Sequence, residues 1–378
     1  MSCGRGTKPS YKTLLQLWTS SGGRCQFEGC NCKLFRDDLT GREFNAANAA
    51  HIIAASPYGP RGNAHSVEFS DKFDNLMLLC PTHHKEIDSF PEQYPPSRLR
   101  EMKARQEQRV QELLDCMYYP KSEIIILESP IKGKVPVHVD NRQTVEAVRG
   151  IQKNPANAYP VLLKPTGTGE YRSSEYWAHI ETNLKQNIEI QINNRLEYDP
   201  SVMLAVFPIA PIPIIAKLGE LHGDKRTIDI FQKTREPDTW KWTCVDTTNT
   251  FIIERNEREC GDPEKCAMIV SLTAEVAEKR VTSVYDAGII YQIKASRYGV
   301  DCIQSCEDLK LFWKAFQKTC DYAVNQDHAK SIAIFPAIPV SAAFEIGRRH
   351  MAGVHPSLTI YEDDNGFFST LQIGGYYS

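Results

Sequence analysis

The 378-residue sequence has no long apolar run, and no stretch approaches the roughly 20 residues that span a bilayer. No membrane partner is expected. Its opening MSCGRGTKPS lacks the apolar core of a secretory signal, so the chain is expected to work in the reducing cytoplasm. A basic excess is missing too. Residues 1–118 carry 15 Lys+Arg against 14 Asp+Glu, and the remainder 29 against 33. A protein that holds nucleic acid on its own shows a basic footprint. Any such affinity must therefore come from a local patch or from several copies acting together. Twelve cysteines at irregular spacing, four of them in a metal pattern, exclude a disulfide framework. Cys244, Cys260, Cys266, Cys302, Cys306 and Cys320 are then expected to be mostly buried free thiols.

What is present is a dense run of metal-binding and acid–base residues in the first quarter of the chain. Cys25-Gln-Phe-Glu-Gly-Cys30 upstream and Cys80-Pro-Thr-His83 downstream supply four ligands at the spacing of a structural zinc site, with Cys32 as a rival to Cys30. Between and beside them stand His51, Asn75 and His84. Phosphodiester hydrolysis needs a base that is neutral near pH 7 and a divalent ion on the scissile phosphate. His51 fits the base and His84 a ligand of a Mg2+ or Mn2+ ion, while the Asn75 amide fixes geometry.

This order of His, Asn and His inside a zinc frame resembles the HNH (ββα-metal) superfamily. Two departures stand out. The upstream pair is Cys-x4-Cys, and Ala50 precedes the base where many HNH enzymes have an acidic ligand. The missing carboxylate must come from elsewhere, with Asp74 and Asp88 as candidates. A turn-rich loop, Ser56-Pro-Tyr-Gly-Pro-Arg61-Gly-Asn, follows the base. Arg61 there is expected to meet a DNA phosphate or to be solvated.

Residues 8–19 read as a short helix ended by Gly22-Gly23. Residues 97–117 read as a longer one, with Leu99, Met102, Gln106, Val110, Leu113 and Met117 on one stripe. A first domain over 1–118 is followed by a second over 122–378. Within the second, Ala205-Val-Phe207-Pro208-Ile-Ala-Pro211 through Gly219 aligns on Ala333-Ile-Phe335-Pro336-Ala-Ile-Pro339 through Gly347 at an offset of 128, and His222 falls on His350. Leu163-Lys164-Pro-Thr166 matches Ile293-Lys294-Ala-Ser. Thr227–Phe231 matches Ser357–Tyr361, and Trp240-Lys-Trp-Thr243 matches Phe367-Phe-Ser-Thr370. Trp177 and Trp313 sit in helical stretches before the matched strands. The economical reading is a duplicated α/β unit, with halves at about 122–258 and 264–378, facing each other about a pseudo-twofold axis.

An HNH domain fused to a duplicated α/β domain resembles the HNH–SAVED effectors of bacterial cyclic-oligonucleotide-based antiphage signalling (CBASS). That resemblance implies two CARF-like, Rossmann-like halves binding a cyclic di- or trinucleotide. It further implies a homo-oligomer, from dimer to higher order on activation, and indiscriminate cleavage of double-stranded DNA in a bacterial cytoplasm. A cyclic dinucleotide presents two phosphates in near twofold symmetry, so a duplicated protein meets it with paired groups. Lys164 and Lys294 are such a pair. Thr166, Gly167 and Arg172 follow the first lysine, and Arg297 and Tyr298 the second. Phe207-Pro208 and Phe335-Pro336 are expected to line the walls or to pack. Two other readings remain open: a restriction-type nuclease whose second domain reads DNA, and an inactive, nucleotide-sensing DNA-binding regulator.

Overall fold

A computed structural model describes residues 8–37, 39–242 and 248–374. Chain contacts separate two units, Met1–Tyr118 and Tyr119–Ser378.

In the first unit, Ser10 caps α1 (Tyr11–Ser20), its hydroxyl accepting from the Thr13 amide at 3.3 Å. Gly22 and Gly23, both at positive φ, end the helix and turn the chain into the cysteine knuckle. Gln26 fastens that knuckle to the sheet: its amide donates to Leu78 O at 2.9 Å, and its side-chain oxygen accepts from Leu78 N at 2.7 Å. Strand β1 (Asn48–His51) pairs antiparallel with β2 (Leu76–Leu79), which sets His51 opposite Leu76. Helix α2 (Pro81–Ser89) follows at once, with Pro81 in its first turn. Strand β1, the turn before β2 and helix α2 thus carry His51, Asn75 and His84 around a core of Leu17, Leu34, Ala50, Ile52, Leu76–Leu79 and Ile87. Helix α3 (Pro96–Asp115) buries only Leu99 and Met102 of its expected six-residue stripe. Leu113 and Met117 are exposed, because the layer beneath α3 ends where Val110 meets Gly22.

Among the described residues the second unit holds two large sheets and a two-stranded ribbon, Thr234–Arg235 with Asp238–Thr239. The first is all parallel, in the order β4 (Val161–Leu163), β3 (Lys121–Glu128), β5 (Met203–Ile209), β6 (Ile228–Ile230), with the two-residue strand Asn154–Pro155 also paired to β3. The second runs β7 (Phe251–Glu257), β9 (Ala287–Ala295), β8 (Asp262–Ser271), β10 (Ser331–Ala337), β11 (Ser357–Asp363), β12 (Phe367–Ile373). Its inner four strands are parallel and repeat the first sheet's order. The repeat holds at single-residue register. Leu127 pairs with Leu163 on one side and Pro208 on the other, as Val270 pairs with Ile293 and Pro336. One boundary moves. Residues 251–257, placed by sequence in the first half, form β7 of the second sheet, where Phe251 packs on Phe312 at 5.7 Å. Among the other cysteines, Cys266, Cys302 and Cys320 are buried, whereas Cys260 and Cys306 are exposed. Thr243 and Cys244 lie outside the described residues.

Helices α4 (Asn141–Gly150), α5 (Ser174–Ile188) and α6 (Ile212–His222) serve the first sheet, and α7 (Cys306–Asn325) and α8 (Val340–Arg348) the second. Helices α6 and α8 pack backbone to backbone. A Cβ on Gly219 would overlap the Phe344 carbonyl, and one on Gly347 would overlap the Ala216 carbonyl. Residues 216 and 219 match 344 and 347 at the offset of 128, so the contact is reciprocal, as a twofold requires. Beside it the matched buried pair is inverted in sign. Lys217 donates to Glu220 and to Gln372 O, both at 2.6 Å, whereas Glu345 accepts from Arg348 at 2.6 Å and from Arg349. No helix of the described residues is long and apolar enough to cross a membrane.

Candidate functional site

Cys25, Cys30, Cys80 and His83 bring one ligand atom each within 4.8 Å of the others. The knuckle supplies two thiols, and the first turn of α2 supplies the other thiol and the imidazole. Phe27 stacks on the His83 ring at 4.0 Å and holds it in place. Burial pushes the Cys25 thiol up, and the Cys32 thiol up to about 12. Thiols packed this closely ionise together only around a cation, so the donor set suits zinc. Cys32 lies just outside the set, its Sγ 3.5 Å from that of Cys30.

His51 ends β1, half-buried, with Nε2 3.0 Å from Ser70 O. A carbonyl only accepts, so Nε2 carries the proton and the lone pair of the neutral ring is on Nδ1; the tautomer follows from this partner. Burial pulls the His51 pKa down, with the neighbouring His84 adding to the effect. The ring is therefore neutral near pH 7. Asn75 is buried just before β2, and its amide closes the loop after His51. Oδ1 accepts from Ile53 N at 2.9 Å, and Nδ2 donates to Ile53 O at 2.8 Å and Phe69 O at 3.2 Å. His84 Nε2 lies 3.4 Å from Asp88, one helical turn on. Both candidate carboxylates are exposed, and Asp88 is the one set beside His84. Ala50 is fully buried in the core, where it packs.

Arg61 is neither a phosphate contact nor solvated. Its side chain is 3 % exposed, and its guanidinium donates to Ile52 O (2.8 Å), His51 O (3.2 Å), Ile87 O and Asp88 Oδ1 (2.8 Å). It ties the strand bearing His51 to the helix bearing Asp88, with four of its five N–H donors used inside the fold.

In the second unit the register sets Lys164 and Lys294 at equivalent positions, just past Leu163 and Ile293. Each already has a carboxylate of its own half. Lys164 pairs with Glu128 at 2.8 Å, and Lys294 with Glu254 at 2.6 Å. The lysines differ in access, at 57 % and 28 % side-chain exposure. Thr166 is exposed. Gly167 serves packing, since a Cβ there would overlap the Tyr176 ring. Arg172 links the halves, donating to Asp364 O at 2.8 Å and lying over the Phe368 ring at 4.9 Å.

For Phe207 and Phe335 the packing alternative holds and the wall-lining one does not. Both are fully buried, Phe207 stacked on Phe231 at 4.4 Å and Phe335 tilted against Tyr361 at 4.3 Å, so they are core, not walls. Pro208 is buried beside the first and Pro336 half-buried beside the second. Tyr298 remains 45 % exposed. Sequence reasoning missed Asn249, which is buried and organises the loop of Arg297 and Tyr298. Its Nδ2 donates to Arg297 O and Cys302 O, both at 2.9 Å, and its Oδ1 accepts from Arg297 N at 3.1 Å and Ser296 Oγ at 2.8 Å. A lone Asn outside any motif carries no sequence signal for this.

Comparison with known proteins finds two families, each matching a separate stretch of the chain. An HNH endonuclease family matches residues 25–91. The family described as the SMODS-associated and fused to various effectors sensor domain (SAVED) matches residues 181–373. No curated protein matches the chain. Among solved structures, the Acinetobacter baumannii Cap4 SAVED/CARF-domain containing receptor with the cyclic trinucleotide 2'3'3'-cAAA is similar at 11 % identity and TM-score 0.43, covering 77 % of this chain and 61 % of that one. The same receptor with 3'3'3'-cAAA gives 11 % and 0.43, over 81 % and 64 %. The Moraxella osloensis Cap4 receptor gives 11 % and 0.39, over 77 % and 60 %. The chain spans about six-tenths of the length of these receptors. The chain belongs to the SAVED family, with an HNH endonuclease domain preceding its sensor.

Proposed function

We propose that this chain is a cyclic-oligonucleotide-gated endonuclease that cleaves double-stranded DNA without sequence preference in bacterial antiphage defence. The observation that carries the nuclease half is the His51 frame. Nδ1 is the nitrogen able to take a proton from water, Asn75 fixes the loop beside it, and Arg61 holds His51 and Asp88 in one geometry. His84 and Asp88 would hold a divalent ion, Mg2+ or Mn2+, which when bound supplies positive charge to the phosphate and the leaving oxygen. The zinc ligands would brace the helix that carries both.

The sensor half rests on the paired strand ends. A cyclic di- or trinucleotide would lie against Lys164, Thr166, Lys294, Arg297 and Tyr298, each lysine exchanging its carboxylate for phosphate. The near-neutral charge of residues 1–118 supports activation by association, since several copies bind DNA by avidity where one binds poorly.

The test is plasmid DNA with Mg2+, with and without a panel of cyclic di- and trinucleotides. Cleavage that appears only with one ring is expected. Cleavage without any ring would favour a restriction-type enzyme, and ring-dependent DNA binding without cleavage an inactive regulator.

A further inference from the structure

In the loop after β9, the Nε and Nη2 atoms of Arg297 are buried and have no hydrogen-bond partner among the described residues. Those two nitrogens form the edge of a guanidinium that points two N–H bonds in parallel, the geometry that takes two oxygens of one phosphate. A buried cationic edge without an acceptor works against the stability of the free protein. Function is a common reason for keeping such a cost.

The main chain that carries the edge is also held in place. Asn249 accepts from the Arg297 amide and donates to its carbonyl, bracketing the residue on both sides. Asn249 is itself fixed by Asp308, whose carboxylate accepts from its amide at 2.6 Å. Tyr298, the next residue, is half exposed and offers a ring face. Continuing the match of Lys164 with Lys294, the residue equivalent to Arg297 is Gly167. That glycine has no charge and lies against the Tyr176 ring.

We propose that Arg297 is a phosphate-binding fork present in one half only, so the ring is held unequally. One phosphodiester meets Arg297 Nε and Nη2, and the adjoining base stacks on Tyr298. The ligand's identity rests on the cyclic-nucleotide reading; the chemistry of the fork rests on the orphaned edge.

The test uses the full chain as wild type, Arg297→Met and Arg297→Lys. Melting is followed in plain buffer and in inorganic phosphate, and calorimetry is run against 3'3'3'-cAAA and 3'3'-linked cyclic di-AMP and di-GMP. Arg297→Met is expected to melt at or above the wild-type temperature in plain buffer, because it removes an unpaired charge. It should bind the recognised ring about tenfold to a hundredfold more weakly. Arg297→Lys should recover only part of that loss, since a point charge lacks the fork. A clearly lower melting temperature for Arg297→Met would make Arg297 structural and overturn the proposal. A ring bound equally by wild type and Arg297→Met would overturn the fork and leave the nucleotide reading intact. Phosphate stabilising only the wild type, with no ring bound, would support the fork and sink the nucleotide reading. If neither ring nor phosphate distinguishes the proteins, both fall.

Discussion

Arg61 donates to the Asp88 carboxylate at 2.8 Å from a side chain almost wholly out of solvent. Its other donors end on main-chain carbonyls of both β1 and α2. Arg61→Ala strands those acceptors and should cost about 2–4 kcal/mol. Urea denaturation of the full chain, followed through the first unit, checks this. An unchanged midpoint would mean that the guanidinium does no bracing. The salt dependence of DNA binding should stay as it is in a folded Arg61→Lys variant.

The His51 pKa is pulled below its ordinary 6.5 by burial. Above that lowered value the ring is neutral and Nδ1 accepts a proton; as pH falls through it the ring charges and cleavage is lost. The acid limb of kcat/KM should therefore lie below pH 6.5, and His51→Ala should lose about 10²–10⁴ in rate. A profile rising only above pH 7 would point to a different base.

Removal of zinc should unfold the first unit while residues 119–378 stay folded. A closed four-ligand site contributes on the order of 10 kcal/mol in small zinc modules. Cys80→Ser is expected to purify without zinc and with the first unit's helical signal reduced. Metal analysis of Cys30→Ser against Cys32→Ser should show loss only in the former, following the clustering of Cys30 with Cys25, Cys80 and His83.

Gly347→Ala drives a methyl group into the Ala216 carbonyl and should destabilise the second unit by about 3 kcal/mol or more. Gly219→Ala meets the related carbonyl of Phe344 and should cost a similar amount. Thermal melting of the two variants side by side tests the twofold relation. A large loss in one with none in the other would deny it.

The cluster of Cys25, Cys30, Cys80 and His83 and the His51–Asn75–His84 frame were legible because ligand chemistry restricts residue type and spacing within one short stretch. The duplicated sheet was legible because apolar strands ending in Phe-Pro recur at one offset. Arg61 was not. An Arg among Gly and Pro reads as a loop tip, and nothing local shows that its acceptors come from Ile52 and Ile87. Phe207 and Phe335 were placed in the right strands, but which face of a sheet is covered depends on the layer packed over it. Burial by Phe231 and Tyr361 is information held outside those strands. The exposure of Leu113 and Met117 has the same origin: a stripe shows where apolar residues lie, not how far the covering layer extends.

The reciprocal seat of Gly219 and Gly347 joins two copies of one fold that a single reading frame encodes separately. In a homodimer, one coding change appears on both sides of the axis, and a basic residue is always matched by a basic residue. Here Lys217 stands where Glu345 stands in the other copy, each with partners of the opposite sign. Fusion has freed the two copies to diverge position by position while the glycine contact keeps them in register. A duplicated receptor of this kind can keep a symmetric frame and still evolve toward a messenger that has no symmetry at all.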